Sequence, residues 1–205
     1  MYCVVTADVN RSRSIRKREI LQQKIIGTID EVNRQFASFI AVPFSITLGD
    51  EWQGLLQSPA KSYEIVAAFR ENLTDVSISF GVGVGEISTS LQDRTSSMDG
   101  QAFHRSRIAL NLAKKKKREV MFSTGDERLD GLLNAVCALL QTIHQRWTDR
   151  QREKILLYKK HQNETKVAQV LGVTQGDIHQ ALKAGAGKIY IECENELNAF
   201  LASMK

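Results

Sequence analysis

The fold is decided by the stretch VPFSITLGDEWQGLL, residues 42–56. Its beginning is rich in β-branched and aromatic residues, its end is apolar, and Gly49-Asp50-Glu51 between them has the composition of a turn. This pattern predicts a β-hairpin. Pro43 fits near the start of the first strand, because a missing backbone donor is tolerated there.

Strand-like and helix-like segments alternate on both sides of the hairpin. Short β-branched runs predict strands, and apolar residues three and four positions apart predict helices. The predicted segments are strands over 2–9, 76–87 and 119–122, and helices over 15–39, 58–73 and 99–116. The order β-α-β-β-α-β, then α-β, predicts an α+β, ferredoxin-like domain with its helices on one face of an antiparallel sheet.

The character of the chain changes near residue 124, after which every segment has a helical pattern. The turn signal Ser123-Thr124-Gly125-Asp126 marks the change. We therefore predict a ferredoxin-like domain over 1–124, a connecting helix over 125–147 and an all-α domain over 148–205.

Composition narrows the function classes only mildly. The chain has 205 residues, 42% of them hydrophobic and 25% charged, which is typical of a globular protein. The net charge of +5 permits a nucleic-acid partner without requiring one. Apolar runs are too short to span a bilayer and no signal peptide is evident, so we expect a cytoplasmic protein with no membrane partner.

Cys3, Cys137 and Cys193 fit neither a disulfide framework nor a zinc finger, and we expect reduced thiols.

Acidic residues converge at one end of the predicted sheet. Asp8 ends the first strand, and Asp50 and Glu51 lie in the neighbouring hairpin turn. Two carboxylates with open space above them suit Mg²⁺, which takes oxygen ligands and keeps waters for a phosphate partner. We predict a nucleotide or metal pocket with Asp8 and Asp50 as the metal ligands and with Glu51, Arg11 and Arg105 beside them. The alternative is structural, since Asp50 is a preferred turn residue and Asp8 can cap the turn that follows it.

Three blocks of the first domain resemble class III nucleotide cyclases, namely GDEW (49–52), FGVGVGEI (80–87) and DGQAFHR (99–105). The hairpin and the helix are also similar to those of GGDEF domains. In both families an acid of the first strand and an acid of the hairpin hold the metal over a nucleotide triphosphate. The resemblance therefore implies metal ligation by Asp8 and Asp50.

The chain departs from the cyclase pattern in the third block. Class III cyclases carry an Asn and a transition-state Arg where this chain has His104 and Ile108. Because such an Arg stabilises developing charge, the departure favours a nucleotide-binding or structural descendant over an active cyclase. The glycines Gly81, Gly83 and Gly85 let a backbone or a ligand approach their strand closely.

A closer resemblance covers almost the whole first domain. It rests on four stretches, TADVNRSR (6–13), TLGDEWQGLL (47–56), the glycine block (81–87) and residues 99–110. Together they resemble the SatD family of bacterial proteins. This resemblance implies a fold and no established chemistry.

The second domain carries a helix-turn-helix signature. In TKVAQVLGVT (165–174), Ala168 allows close helix packing, and Gly172 four residues later suits a left-handed turn. The segment resembles the helix-turn-helix of LuxR-type regulators and of region 4 of sigma factors. Side chains on or near the second helix can donate to bases or phosphates, and the predicted DNA contacts are Lys166, Thr174, Gln175, His179, Gln180 and Lys183. The alternative is a three-helix bundle that contacts protein.

Two functional hypotheses follow. The first is a DNA-binding regulator, active as a homodimer, whose cyclase-like domain senses a nucleotide or mediates assembly. The second is a Mg²⁺-dependent enzyme that binds or processes nucleotides through Asp8 and Asp50, with the helical domain as an accessory. A scaffold that uses neither site is a third possibility.

Overall fold

A computed structural model describes residues 1–10 and 18–204. Its contacts divide the chain into two compact units. Unit 1 comprises Met1–Cys137 and Leu197–Lys205, and unit 2 comprises Ala138–Glu196. The domain limits proposed above, with a separate connecting helix, stay a prediction. Among the described helices, none is both long and apolar enough to cross a membrane.

Five strands and the helices between them form most of unit 1. In chain order its elements are β1 (Tyr2–Val9), α1 (Arg18–Gln35), β2 (Ile40–Leu48), β3 (Glu51–Leu56), α2 (Ser62–Asn72), β4 (Ile78–Gly85), α3 (Gln101–Lys116) and β5 (Val120–Ser123). The helices that follow are α4 (Glu127–His144), α5 (Asp149–His161), α6 (Glu164–Leu171), α7 (Gln175–Ala184) and α8 (Gly187–Ser203). The mixed α+β character predicted from the sequence is confirmed.

The five strands form one sheet in the order β2-β3-β1-β4-β5. β1 lies at the centre and pairs antiparallel with β3 and β4, whereas β4 and β5 run parallel. The predicted hairpin is present as β2 and β3, and Gly49 adopts the left-handed φ of 62° that its turn requires. The sheet is therefore mixed and not purely antiparallel, because β5 returns to the sheet through α3.

One face of the sheet is covered by an aromatic core. Trp52 and Phe80 project from the sheet onto Phe69 of α2, with ring centroids 5.4 and 6.2 Å from the Phe69 ring. Phe44 of β2 meets the same ring edge-on at 5.3 Å. Tilted and edge-to-face arrangements of this kind add to the burial of apolar area. Helix α1 packs against α2 and β2.

The opposite face is covered by α3, so the expectation that all helices share one face is wrong. Gly81 and Gly83 of β4 lie directly beneath this helix. A Cβ on Gly83 would come within 3.0 Å of the Ser106 nitrogen and the Ala102 carbonyl oxygen. The glycines therefore admit the backbone of α3, and the room above the strand is filled by the protein itself.

Unit 2 is helical, and its turns are set by local polar residues. Thr148 and Gln151 form a capping box at the start of α5, and Asn163 caps α6. Trp147 is buried and donates its indole N–H to the carbonyl oxygen of Gly185 at 2.7 Å. Helices α5, α6 and α7 each begin at a capping side chain, Thr148, Asn163 and Thr174, which is a start signal that a sequence shows.

The three cysteines are free. Cys3 and Cys137 are buried in unit 1, and burial raises the pKa of each thiol to about 12. Cys193 belongs to unit 2 and is partly exposed. The prediction of reduced thiols agrees with this arrangement.

Candidate functional site

Two carboxylates stand side by side where β1 ends. Asp8 of β1 and Glu51 of β3 are direct cross-strand partners, so their side chains leave the same face of the sheet. That face is the one covered by α3. The Glu51 side chain is only 10% exposed and that of Asp8 22%. Two adjacent, poorly hydrated carboxylates need compensating positive charge.

Helix α3 supplies that charge. Arg107 donates through both terminal nitrogens to the Glu51 carboxylate, with Nη2 2.7 Å from Oε1. Lys114 places its Nζ 2.8 Å from Oδ1 of Asp8. The two cations are seven residues apart on one helix, about two turns, and so they face the same strip of sheet. We call Asp8, Glu51, Arg107 and Lys114 the ion-pair cluster.

The pKa of Glu51 reflects two opposing effects. Burial raises this pKa, but hydrogen bonds from Arg107 and Thr47 lower it by more, and it lies below its ordinary value. The Thr47 hydroxyl donates to Oε1 of Glu51 at 2.9 Å. The bond to Glu51 in turn raises the pKa of Arg107. Glu51 and Arg107 are therefore both charged at neutral pH.

A buried polar chain lies farther along the same face. Gln53 donates to the Thr6 hydroxyl at 2.7 Å, and the hydroxyls of Thr6 and Ser106 are 3.0 Å apart. Ser106 also donates to the carbonyl oxygen of Phe103 at 2.9 Å. Thr6 and Ser106 are fully buried. Such a chain fixes the position of α3 on the sheet, because each member would be costly to leave unpaired.

The remaining residues predicted for this site lie in different places. Asp50 is half-buried in the hairpin turn, next to Glu51. Arg105 donates to the carbonyl oxygen of Val84 at 2.6 Å, near the far end of β4. Val84 pairs with Cys3 and not with Asp8, about 17 Å along β1 at the usual rise per residue. The structure therefore does not bring Arg105 to the acidic end, and Arg11 lies outside the described residues.

The other two positions compared with cyclases face outward. His104 is exposed and lies 3.1 Å from a carboxylate oxygen of Asp99, and Ile108 is exposed as well. Arg107 and Lys114 were not predicted from the sequence as members of this site. The signal available was their spacing, which puts both on the same side of the predicted helix.

The ion-pair cluster bears directly on the metal hypothesis. Within residues 1–10 and 18–204, no group of three or more His, Cys, Asp or Glu side chains is arranged to hold a metal ion. A Mg²⁺ ion at Asp8 would have to displace Lys114. The arrangement as it stands does not fit such an ion, because Asp8 and Glu51 are both bonded to cations of α3. Metal ligation by Asp8 and Asp50 stays a prediction.

The second candidate region is the turn between α6 and α7. Gly172 ends α6 in the left-handed conformation, with φ 65°. The Thr174 hydroxyl accepts from the Asp177 backbone N–H at 3.2 Å and donates to the Asp177 carboxylate at 2.9 Å. The hydroxyl and the backbone N–H of Thr174 both donate to the Asp177 carboxylate, and these bonds lower the pKa of Asp177. Thr174, predicted as a DNA contact, therefore uses its hydroxyl to cap α7, and the charge of Asp177 serves the same cap.

Helix α7 has two distinct faces. Ile178 and Leu182 are buried, and α5 and α6 pack against this side. The predicted contacts lie on the exposed side, namely Gln175, His179, Gln180 and Lys183, and Lys166 is exposed on α6. The spacing of four residues between 175, 179 and 183 aligns three of these side chains along the helix. The structure thus brings together most of the residues that the sequence pattern selected.

A contact that was not predicted from the sequence links three helices of unit 2. Glu164 of α6 bonds Lys188 of α8 at 2.7 Å and lies 3.5 Å from Nδ1 of His179 on α7. The bond from Lys188 lowers the pKa of Glu164, and the same bond raises the pKa of Lys188. The residues are distant in sequence and no local pattern reveals them.

Comparison with models of known protein families identifies a match to this chain. The model of the SatD family matches residues 2–201. The chain belongs to the SatD family. The resemblance inferred from four short stretches is thereby confirmed, and it extends over the helical unit too. A search of curated proteins found no match.

One solved structure gives a weak likeness. It is the crystal structure of a regulator of polyketide synthase expression from Bifidobacterium adolescentis, 14% identical, with 97% of this chain and 80% of that chain covered. The TM-score is 0.27, so the likeness supports no inference about fold or function.

Proposed function

We propose that this SatD-family protein is a DNA-binding transcriptional regulator that contacts DNA through α7. The observation that carries the proposal is the division of α7 into a buried apolar face and an exposed polar face. The exposed face carries amide, imidazole and ammonium groups and no large apolar residue. An exposed helix with such a face suits the major groove, where Gln can pair with adenine and Lys with guanine or phosphate.

The local geometry supports a helix-turn-helix arrangement. Helices α5, α6 and α7 pack against one another, and a short turn through Gly172 links the last two. The capping box of Thr174 and Asp177 defines where α7 begins. In helix-turn-helix proteins the first residues of the second helix contact base edges, so a sharply defined start matters for register.

Charge also supports the proposal. Residues 148–190 carry eight Lys or Arg and four Asp or Glu. Asp149 is paired with Arg152 and Glu164 with Lys188, and six cations and two acids remain after these two pairs are set aside. The remaining excess of cations favours phosphate contacts, whose strength depends on salt.

For unit 1 we propose a ferredoxin-like, cyclase-related fold that senses a nucleotide or mediates assembly. The ion-pair cluster favours assembly or a structural role, because its charges are already satisfied within the protein. Paired half-sites on DNA would favour a homodimer. Leu132 of α4, in unit 1, is a large apolar side chain that is 62% exposed, which suits a contact with a second copy.

Binding to fragments of the source genome tests the proposal. Fluorescence anisotropy at low salt should detect binding of the full chain, weakening as salt is raised. The double variant Gln180→Ala/Lys183→Ala should bind about tenfold or more weakly, since each contact is worth about 1–3 kcal/mol. Lys160→Ala, an exposed cation on α5, is the matched control and should change affinity little. Absence of binding at low salt, or equal loss in the control, would overturn the proposal.

The alternative of a Mg²⁺-dependent nucleotide enzyme has one supporting observation, the adjacency of Asp8 and Glu51. Thermal unfolding with nucleotides and Mg²⁺ tests it. If the alternative holds, a nucleotide will stabilise the wild type and not Asp8→Ala/Asp50→Ala. Equal behaviour of the two proteins would remove the alternative.

A further inference from the structure

A groove of about 360 Å³ runs beside the exposed face of α7. All of its walls belong to unit 2. The lining residues are His179, Leu182, Lys183, Ala186, Lys188 and Ile189. The volume lies at the lower end of the range typical of small-molecule sites.

The groove is apolar at its base and cationic at its rim. Leu182 is 2% exposed and forms part of the base, whereas Ile189 is a large apolar side chain that is 50% exposed. Lys183 and Lys188 are both exposed and line the groove, and the Lys188 ammonium also bonds Glu164 and lies over the Tyr158 ring. An apolar base with a few convergent polar groups is the usual composition of a ligand site.

Glu164 holds two of the residues that line the groove, Lys188 and His179. The Glu164 side chain is only 13% exposed, and it bonds Lys188 and approaches His179. It thus orients two groups of the rim while its own charge is turned away from solvent. Lys183 is exposed on the same helix face as His179. Lys188 is paired with Glu164, but the charge of Lys183 leaves the rim with a net positive charge.

We infer that this groove is a binding site for a small organic anion, one with a phosphate or carboxylate head group and an apolar body. The head group would bind Lys183 at the rim, and the apolar body would cover Leu182 and Ile189. Neither the head group nor the apolar body alone is enough for tight binding, because an exposed ion pair is weak and the apolar area is small. The inference rests on the geometry of unit 2 and does not require DNA binding.

If the proposed function also holds, the two ligands compete. His179 and Lys183 line the groove and belong to the predicted DNA surface. A bound anion would neutralise Lys183 and place negative charge beside the phosphates. Binding of the small ligand would then release DNA, and DNA would exclude the ligand by the same coupling.

Hexyl phosphate, added to the full chain and followed by calorimetry and amide chemical shifts, tests the site. It should bind at least about tenfold more tightly than inorganic phosphate or 1-hexanol, and should shift the amides of residues 186–189. Hexanoate, run in parallel, distinguishes a phosphate from a carboxylate head group. Lys183→Ala should weaken hexyl phosphate about tenfold, and Ile189→Ser should abolish its advantage over inorganic phosphate.

Two variants outside the groove serve as controls. Lys160→Ala removes an exposed cation from α5, and Val170→Ser removes a 57% exposed apolar side chain from α6. Both should bind hexyl phosphate as the wild type does. Binding that is equally weakened in the controls, or that is absent for both anions, overturns the site. A chain that binds hexyl phosphate but no DNA keeps the site and refutes only the proposed function.

Discussion

Helices α3 and α7 both carry basic side chains, but they use them differently. On α3, Arg107 and Lys114 are bound to Glu51 and Asp8 of the sheet beneath. On α7, Lys183 is exposed, and the nearby acids Asp177 and Glu164 are engaged in a cap and with Lys188. Positive charge on a helix therefore indicates an external anion only where the protein does not supply the counter-charge itself.

The largest expected effect concerns the packing of α3 on the sheet. Gly83→Ala places a Cβ against the backbone of Ser106 and Ala102, which cannot move as a flexible side chain would. We expect a loss of about 3 kcal/mol in the free energy of unfolding, measured in urea. Gly27→Ala in α1 is the matched control, because nothing lies within 4 Å of its Cβ, and it should stabilise slightly. Equal stability of the two variants would contradict the close contact.

The next largest effect is a difference between the two helices in how much a lost cation changes the free energy of unfolding. Arg107→Ala leaves the poorly exposed Glu51 carboxylate without its bidentate partner and should cost about 2 kcal/mol. This figure is below that of a fully buried pair because the Arg107 side chain is about half exposed. Lys183→Ala should change the same free energy by less than about 0.5 kcal/mol. If both variants unfold alike, the contrast between the helices fails.

DNA binding should show the reverse order. Lys183→Ala should weaken binding by about 1 kcal/mol and lower the slope of affinity against salt by about one unit, as loss of one phosphate contact would. Arg107→Ala, assayed where it is fully folded, should leave both quantities unchanged. Anisotropy titrations at several salt concentrations measure both. A changed salt slope in Arg107→Ala would place α3 at the DNA surface.

The smallest effect is a pH dependence carried by Glu51. Its folded pKa lies below its ordinary value, so the unfolded state binds the proton more readily. The stabilisation is fully present above the unfolded pKa of about 4.3 and is lost as the pH falls through the folded pKa. Unfolding free energies between about pH 6 and pH 3 should fall more steeply for the wild type than for Glu51→Gln. Parallel curves would show that the contacts in the ion-pair cluster do not lower the pKa of Glu51.

Much of the fold follows from local patterns, and the tertiary contacts do not. Residues 42–56 predict the hairpin because its turn chemistry is local. The side of the sheet that α3 covers depends on the register between β1 and β4, which no local window contains. Asp8 and Glu51 were predicted to lie together because the hairpin and the first strand are neighbours in the predicted fold. Their partners Arg107 and Lys114 were not predicted, because the contact of α3 with this face depends on that register. The exposed face of α7 was predictable because buried Ile178 and Leu182 determine which side remains.

The buried thiol of Cys3 can report how often unit 1 opens. A thiol reacts with alkylating reagents as its anion, and burial raises the pKa of Cys3 to about 12. At neutral pH its labelling must wait until unit 1 opens, so the labelling rate counts opening events. Cys193 is partly exposed in unit 2, so its labelling rate does not depend on the opening of unit 1. Mass spectrometry of the unmodified chain can thus time the opening of unit 1 without an added reporter.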